Sequence, residues 1–164
     1  MPGGTLDAGG MSLRRAQRRD LEAVLALQHA AYARNRALLG CEPLPLLADY
    51  QQIFRDYEVW LAGADSLAGV LILEPRPNDL LIWSIATDPA GQGGGLGKAL
   101  LSAAEVRASE LKRDTIRLYT GATLQHLIDW YGRHGYRVER NEQLSDRTIA
   151  HMIKPLDAPR AAPE

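Results

Sequence analysis

The stretch Ile85-Ala86-Thr87-Asp88-Pro89-Ala90-Gly91-Gln92-Gly93-Gly94-Gly95-Leu96-Gly97-Lys98 holds five of the chain's 15 glycines within seven positions, Gly91 to Gly97. Upstream lies a nearly all-apolar run, Leu80–Thr87, which reads as a strand, and downstream Leu96 opens a helical pattern. Glycines at such a junction let backbone N–H groups converge, and the helix start adds partial positive charge, so the segment predicts a site for a phosphate or pyrophosphate. A flexible strand–helix connection is the plainer alternative. A Walker A loop fails here twice: Gln92 stands where its first glycine is required, and Ala99 where Ser or Thr must follow the lysine. The dinucleotide pattern G-x-G-x-x-G fails as well, ending on Leu96 when begun at Gly91 and on Lys98 when begun at Gly93. The spacing that fits is Gln-x-x-Gly-x-Gly, on Gln92, Gly95 and Gly97.

Outside this cluster the composition narrows the class. The chain has 164 residues, 46% of them hydrophobic, and 19 Lys+Arg against 20 Asp+Glu. That length suits one domain able to bury about two thirds of its surface, without a metal or disulfide framework. A net charge of −1 offers no global attraction for polyanions, which argues against a nucleic-acid partner. The single cysteine, Cys41, cannot form an internal bridge and sits in no catalytic motif. No uninterrupted apolar run approaches 18 residues and no signal-like start precedes the domain, so a cytoplasmic chain without a membrane partner is expected. His126, His134 and His151 lack metal-ligand spacing, so no metal is expected.

Residues 1–10 are Gly-rich and aperiodic and read as a flexible leader, with Met11 as an alternative start; residues 157–164 read as a flexible tail, leaving 11–156 as the domain. Within it, strands are expected at Ser12–Ala16, Tyr57–Leu61, Leu67–Leu73, Leu80–Thr87, Thr115–Thr120, Tyr136–Asn141 and Thr148–Lys154. Asp20 caps a helix through about Ala33, and a second helix runs from Leu46 to Arg55. A third spans Leu96 to Leu111 with Leu96, Ala99, Leu100, Ala103 and Val106 inward, and a fourth is capped by Thr123 and ended by Gly135. The fold class is therefore mixed α/β (α+β): a central sheet of about seven strands flanked by about four helices.

The Gln92–Gly95–Gly97 pattern after a strand resembles the acyl-CoA-binding motif of the GNAT superfamily of N-acetyltransferases. The likeness extends to Ser12-Leu13-Arg14-Arg15-Ala16 with Asp20-Leu21, to Trp130-Tyr131-Gly132-Arg133-His134-Gly135-Tyr136, and to Met152-Ile153-Lys154-Pro155-Leu156, covering about residues 11–156. The resemblance implies a mostly antiparallel sheet with a splayed strand pair holding coenzyme A, and acetyl-CoA as cosubstrate. It implies cofactor contacts at Ile85, Ala86 and Thr87 along the strand and at Gln92, Gly93, Gly94, Gly95, Leu96, Gly97 and Lys98 around the loop. It places Tyr131 as the general acid that protonates the leaving thiolate, beside its plainer role as a core aromatic with Leu124, Leu127 and Ile128. Two departures stand out: Trp83 occupies the position where many relatives carry a glutamate base, leaving Glu74, Asp88 or water, and Leu124 replaces a common asparagine. The expected partner is a small-molecule or peptide amine, its site drawn from Tyr32, Arg34, Arg36, Glu42 and Tyr50, with Arg34 and Arg36 compatible with a carboxylate; the protein is a monomer or homodimer. The alternative is a non-catalytic acyl-CoA-binding sensor or interaction module, and the absent carboxylate at Trp83 motivates it.

Overall fold

The computed structural model describes residues 4–91 and 94–157. One eight-stranded sheet runs through the molecule in the order β1-β2-β3-β4-β5-β6-β8-β7. Its strands are β1 (Thr5–Ala8), β2 (Met11–Arg15), β3 (Glu58–Ala62), β4 (Gly69–Pro75), β5 (Leu80–Thr87), β6 (Thr115–Gly121), β7 (Arg137–Gln143) and β8 (Thr148–Pro155). Every pairing is antiparallel except β5 with β6. The mixed, mostly antiparallel sheet expected from the sequence is present, with one strand more than expected.

That extra strand corrects the reading of residues 1–10 as a leader. Thr5–Ala8 pairs with β2 from Thr5↔Arg14 to Ala8↔Met11, and Leu6 is fully buried in the core. The segment has too few residues for its alternation to register, but the ladder with β2 and the burial of Leu6, with Ala8 packed against the same core, together hold it.

The helices are α1 (Leu21–Leu39), α2 (Leu44–Leu47), α3 (Tyr50–Asp56), α4 (Leu96–Glu110) and α5 (Gln125–Arg133). α1 runs past Ala33 to Leu39, because Ala33-Arg34-Asn35-Arg36-Ala37-Leu38-Leu39 contains no breaker and mostly strong helix formers; it ends at Gly40, whose N–H bonds the Arg36 carbonyl at 3.0 Å. Asp20 does not cap α1 with its side chain. Its carboxylate instead takes two bonds from Arg14, at 3.0 and 2.9 Å, and one from the Gln17 N–H. The single helix expected over Leu46–Arg55 is split: Ala48 is extended, and Asp49 caps α3 by accepting from the Gln51 and Gln52 N–H groups. Thr123 does not cap α5 either, since Leu124 holds the N-cap position, while Gly135 follows the helix with a φ of +94° as a left-handed end.

The sheet divides two layers. On one face α1 and α3 bury Val24, Leu27, Tyr50 and Ile53 against Val59, Leu61, Val70 and Ile72. On the other, α4 buries Leu100, Leu101, Ala103, Ala104 and Ala108 against Leu71, Leu73, Leu80 and Ile116. Val106, expected inward, is exposed, because the buried stripe of α4 follows Leu100, Ala104 and Ala108 at i, i+4, i+8. α4 is also clamped to β3. The Arg107 guanidinium grips the Glu58 carboxylate at 2.8 Å through two nitrogens, and the Trp60 indole N–H donates to the same group at 3.0 Å.

Candidate active site

The site begins where two strands part. β5 pairs in parallel with β6 over only Leu80↔Ile116, Leu81↔Arg117 and Ile82↔Leu118, although β5 continues to Thr87 and β6 to Gly121. The divergence coincides with an irregularity on the other side of β5: Ile72 pairs with Ser84 and Leu73 with Ile82, so Trp83 is the extra residue of a bulge. A bulge bends the strand and increases its twist, which turns β5 away from β6. The result is a cavity of about 510 Å³ whose walls include Ile85, Ala86 and Thr87 from β5 and Tyr119 and Thr120 from β6. Tyr32 of α1 lines it from one layer, and Gly97 of α4 with Tyr131 of α5 from the other. The gap therefore opens toward both faces of the sheet.

At the α4 end, the glycine loop meets the helix. Gly95 takes a φ of +82° at the N-cap of α4, a conformation costly for any residue with a Cβ, while an added Cβ there would meet no atom within 4 Å. Open space and a left-handed backbone together explain why glycine stands at this position. Gly94, Gly95 and Lys98 are exposed, Leu96 packs partly against the core, and Gly97 faces the Trp130 ring, 3.7 Å from where a Cβ would sit. Gln92 and Gly93 lie outside the described residues.

Tyr131 both packs and lines the cavity. Its ring sits edge-on to Trp130 and Tyr136, with centroids 5.0 and 5.9 Å away, against the core under α4. Burial pushes its phenol above the usual tyrosine value, so the hydroxyl keeps its proton at neutral pH. His134, beside Trp130 at 4.7 Å, is held below the usual histidine value by burial and by the nearby Lys154.

On the opposite layer a buried polar chain runs under β5. Gln28 donates through Nε2 to the Tyr50 hydroxyl at 2.8 Å and to Ser84 Oγ at 3.0 Å. The Tyr32 hydroxyl shares a 2.8 Å bond with Ser84 and lies 3.3 Å from the Ile85 carbonyl, to which it donates. Burial pushes the Tyr32 phenol up to about 12. Tyr50 donates in turn to the Pro45 carbonyl at 2.7 Å. The sequence reading picked out Tyr32 and Tyr50 and missed Gln28 and Ser84. Both had a signal: Gln28 interrupts the apolar stripe of α1 at the position between Val24 and Tyr32, and Ser84 interrupts the apolar run of β5.

Other expectations resolve differently. Arg34 lines the cavity, but Arg36 and Glu42 bind each other at 2.8 Å and do not. Trp83 does line it, held edge-on between Tyr50 and Tyr57 with centroids 6.0 and 6.1 Å away. Asp88 accepts from the Ala90 N–H and shapes the turn after β5, and Glu74 is not among the lining residues. Leu124 is buried in the wall. Trp130 and Arg147 also line the cavity and were not singled out; nothing in the local pattern around Arg147 marks it, since the β7–β8 loop brings it there. Among the described residues, no group of three or more His, Cys, Asp or Glu side chains is placed to hold a metal ion. No helix among them is long and apolar enough to cross a membrane.

Comparison with known proteins follows the same lines. The family model described as "Acetyltransferase (GNAT) domain" matches residues 55–138, just over half of the chain. An uncharacterised N-acetyltransferase of Bacillus subtilis (strain 168), YvbK, is 33% identical over 103 residues, which cover 62% of this chain and 65% of that relative. The chain is thus matched to less than two thirds of that relative's length. The solved PaiA N-acetyltransferase from Thermoplasma acidophilum, in complex with coenzyme A, is similar with a TM-score of 0.68 at 20% identity, over 87% of this chain and 97% of that one. A GNAT family acetyltransferase from Elizabethkingia anophelis, with acetyl-CoA bound, is similar with a TM-score of 0.64 at 16% identity, over 90% and 99%. At such identities these structures speak to the fold.

Proposed function

The chain belongs to the GNAT acetyltransferase family, and on that premise we propose that it transfers the acetyl group of acetyl-CoA to a primary amine of a small molecule or peptide, by direct attack in a ternary complex. The observation that carries this reading is the gap between β5 and β6, lined from both layers of the molecule. A thioester and an amine can meet there from opposite sides of the sheet. The solved relatives described as bound to coenzyme A or acetyl-CoA support the same cosubstrate.

The residues present fit that cosubstrate. Gly94, Gly95 and Gly97 leave the N-terminus of α4 unobstructed for a diphosphate, which backbone N–H groups and the helix dipole attract, with Leu96 and Lys98 beside them; Gln92 and Gly93, outside the described residues, join them in the proposed set by sequence alone. Ile85, Ala86 and Thr87 border the gap where β5 has lost its β6 partner, and their main chain is suited to pair with the pantetheine arm. Acetyl-CoA supplies the activated acyl thioester. A main-chain N–H near Ala86 or Thr87 stabilises the oxyanion as the neutral amine attacks the carbonyl. Tyr131, a phenol that is protonated at neutral pH and lines the gap, gives its proton to the departing thiolate. The amine loses its own proton to water.

The test is a thermal melt with acetyl-CoA. Ligand at 100 times its dissociation constant stabilises by about 2.7 kcal/mol, so the melting temperature rises by several degrees. No shift at millimolar acetyl-CoA overturns the proposal. The position of Trp83 favours a second reading, a non-catalytic acyl-CoA sensor; free thiol released with any amine acceptor decides against it.

A further inference from the structure

The charges around the cavity are one-sided. Its charged lining residues are Arg34, Arg133 and Arg147, with His126 beside them, and no Asp or Glu among the described residues. Arg133 belongs to α5, on the layer of Gly97 and Trp130. Arg34 lies on α1, and Arg147 in the β7–β8 loop has Cys41 and Glu42, just beyond α1, as its electrostatic neighbours.

Arg147 is the unusual member. Its side chain is only 5% exposed, yet its one carboxylate partner among the described residues is the adjacent Asp146, whose side chain is 53% exposed. Asp146 takes one bond from Nε at 3.0 Å and one from Nη2 at 2.9 Å. A guanidinium carries five N–H donors in a planar fork, so most of its capacity is directed elsewhere. Glu42 does not absorb it, because Arg36 already holds both Glu42 oxygens at 2.8 to 3.2 Å. A buried cation in the wall of an acid-free cavity is the counterpart of an anion that enters with a ligand.

We infer that the acceptor is a small primary amine that also carries a carboxylate, and that Arg147, seconded by Arg34 at the rim, binds that carboxylate and so selects the substrate. The inference rests on the acetyl-transfer reading above and names the acceptor for it. A bidentate guanidinium–carboxylate contact also fixes the direction in which the amine enters the gap.

The test uses the full chain with saturating acetyl-CoA and free thiol as readout, comparing amino acids with their amides and decarboxylated amines, which keep the amine and lack the carboxylate: phenylalanine with phenylalanine amide and phenethylamine, β-alanine with β-alaninamide and ethylamine. At least one free amino acid is expected to exceed its counterparts without a carboxylate about tenfold or more in kcat/KM. Arg147→Met abolishes that preference through KM while keeping the acetyl-CoA melting shift, and Asp146→Asn, which removes the competing negative charge, strengthens it. If Arg147→Met does not fold, Arg34→Met and Asp146→Asn carry the comparison. Amines without a carboxylate that serve equally well or better, or a preference unchanged in all three variants, overturn the inference. So does a normal acetyl-CoA shift with no transfer to any carboxylated amine, which leaves the cosubstrate reading standing; absence of the shift itself sinks both.

Discussion

Tyr131 is the residue on which packing and the proposed chemistry meet. Apolar spacing within α5 and the surrounding aromatic rings account for its position, and the same burial that packs the ring raises the phenol's pKa. A group raised in this way holds its proton through neutral and mildly alkaline pH. Tyr131→Phe is therefore expected to retain the acetyl-CoA melting shift but lose about 100-fold or more in kcat, the usual contribution of a general acid. In the wild type, kcat should show no alkaline fall attributable to Tyr131 below about pH 10, the ordinary tyrosine value; a pH–rate profile from 7 to 10 checks this. Unchanged turnover in the Phe variant returns Tyr131 to packing alone. The sequence could nominate this residue because its signal is local, whereas Gln28 and Ser84 are 56 residues apart and acquire meaning only when α1 lies across β5. Gln28 Oε1 is buried there without a protein partner, so the polar chain under β5 is incompletely satisfied by the described residues.

Among the elements, α4 matters most, because its N-terminus faces the site and its body anchors the sheet. Its most buried ion pair among the described residues is Arg107 with Glu58 on β3. Burial alone would raise the Glu58 carboxyl, but the Arg107 guanidinium and the Trp60 indole N–H outweigh it and hold the group below the usual glutamate range. A carboxyl depressed in the folded state contributes stability at neutral pH that is lost as pH falls through its folded-state value. Glu58→Gln should cost about 2–3 kcal/mol at pH 7, and its deficit should shrink as pH drops below about 4. Thermal melts of both proteins from pH 7 to 3 measure the closing gap; a constant gap would mean the tie is not ionic. Element boundaries followed local chemistry where caps were involved, yet Asp20 shows the limit of that logic. Its carboxylate is drawn to Arg14 across a strand–helix corner, a competitor that no N-cap rule includes.

Across the whole molecule, the eight-stranded sheet depends on its first strand more than the composition of residues 1–10 suggests. Leu6 reaches the same core cluster as Leu71, Leu100 and Met152. Leu6→Ala should destabilise the protein by about 2–5 kcal/mol, as large-to-small changes in packed cores do, and a denaturation midpoint lowered without a change in slope would show it. A chain begun at Met11 should lose at least as much. The opposite edge, β7, has an exposed, mostly charged sequence, Arg137-Val138-Glu139-Arg140-Asn141-Glu142-Gln143, which suits a strand with a free side. By itself, the sequence determined the order of most strands and helices, the glycine spacing that excludes the common nucleotide loops, and the aromatic on α5. These are effects between near neighbours in the chain, where periodicity and backbone freedom act directly. Only the tertiary structure decided that β1 exists, that the bulge at Trp83 parts β5 from β6, and that a buried arginine from the β7–β8 loop meets α1 residues at one cavity. Each of those depends on which distant segments lie side by side, and burial, register and unpaired charge have no value until they do.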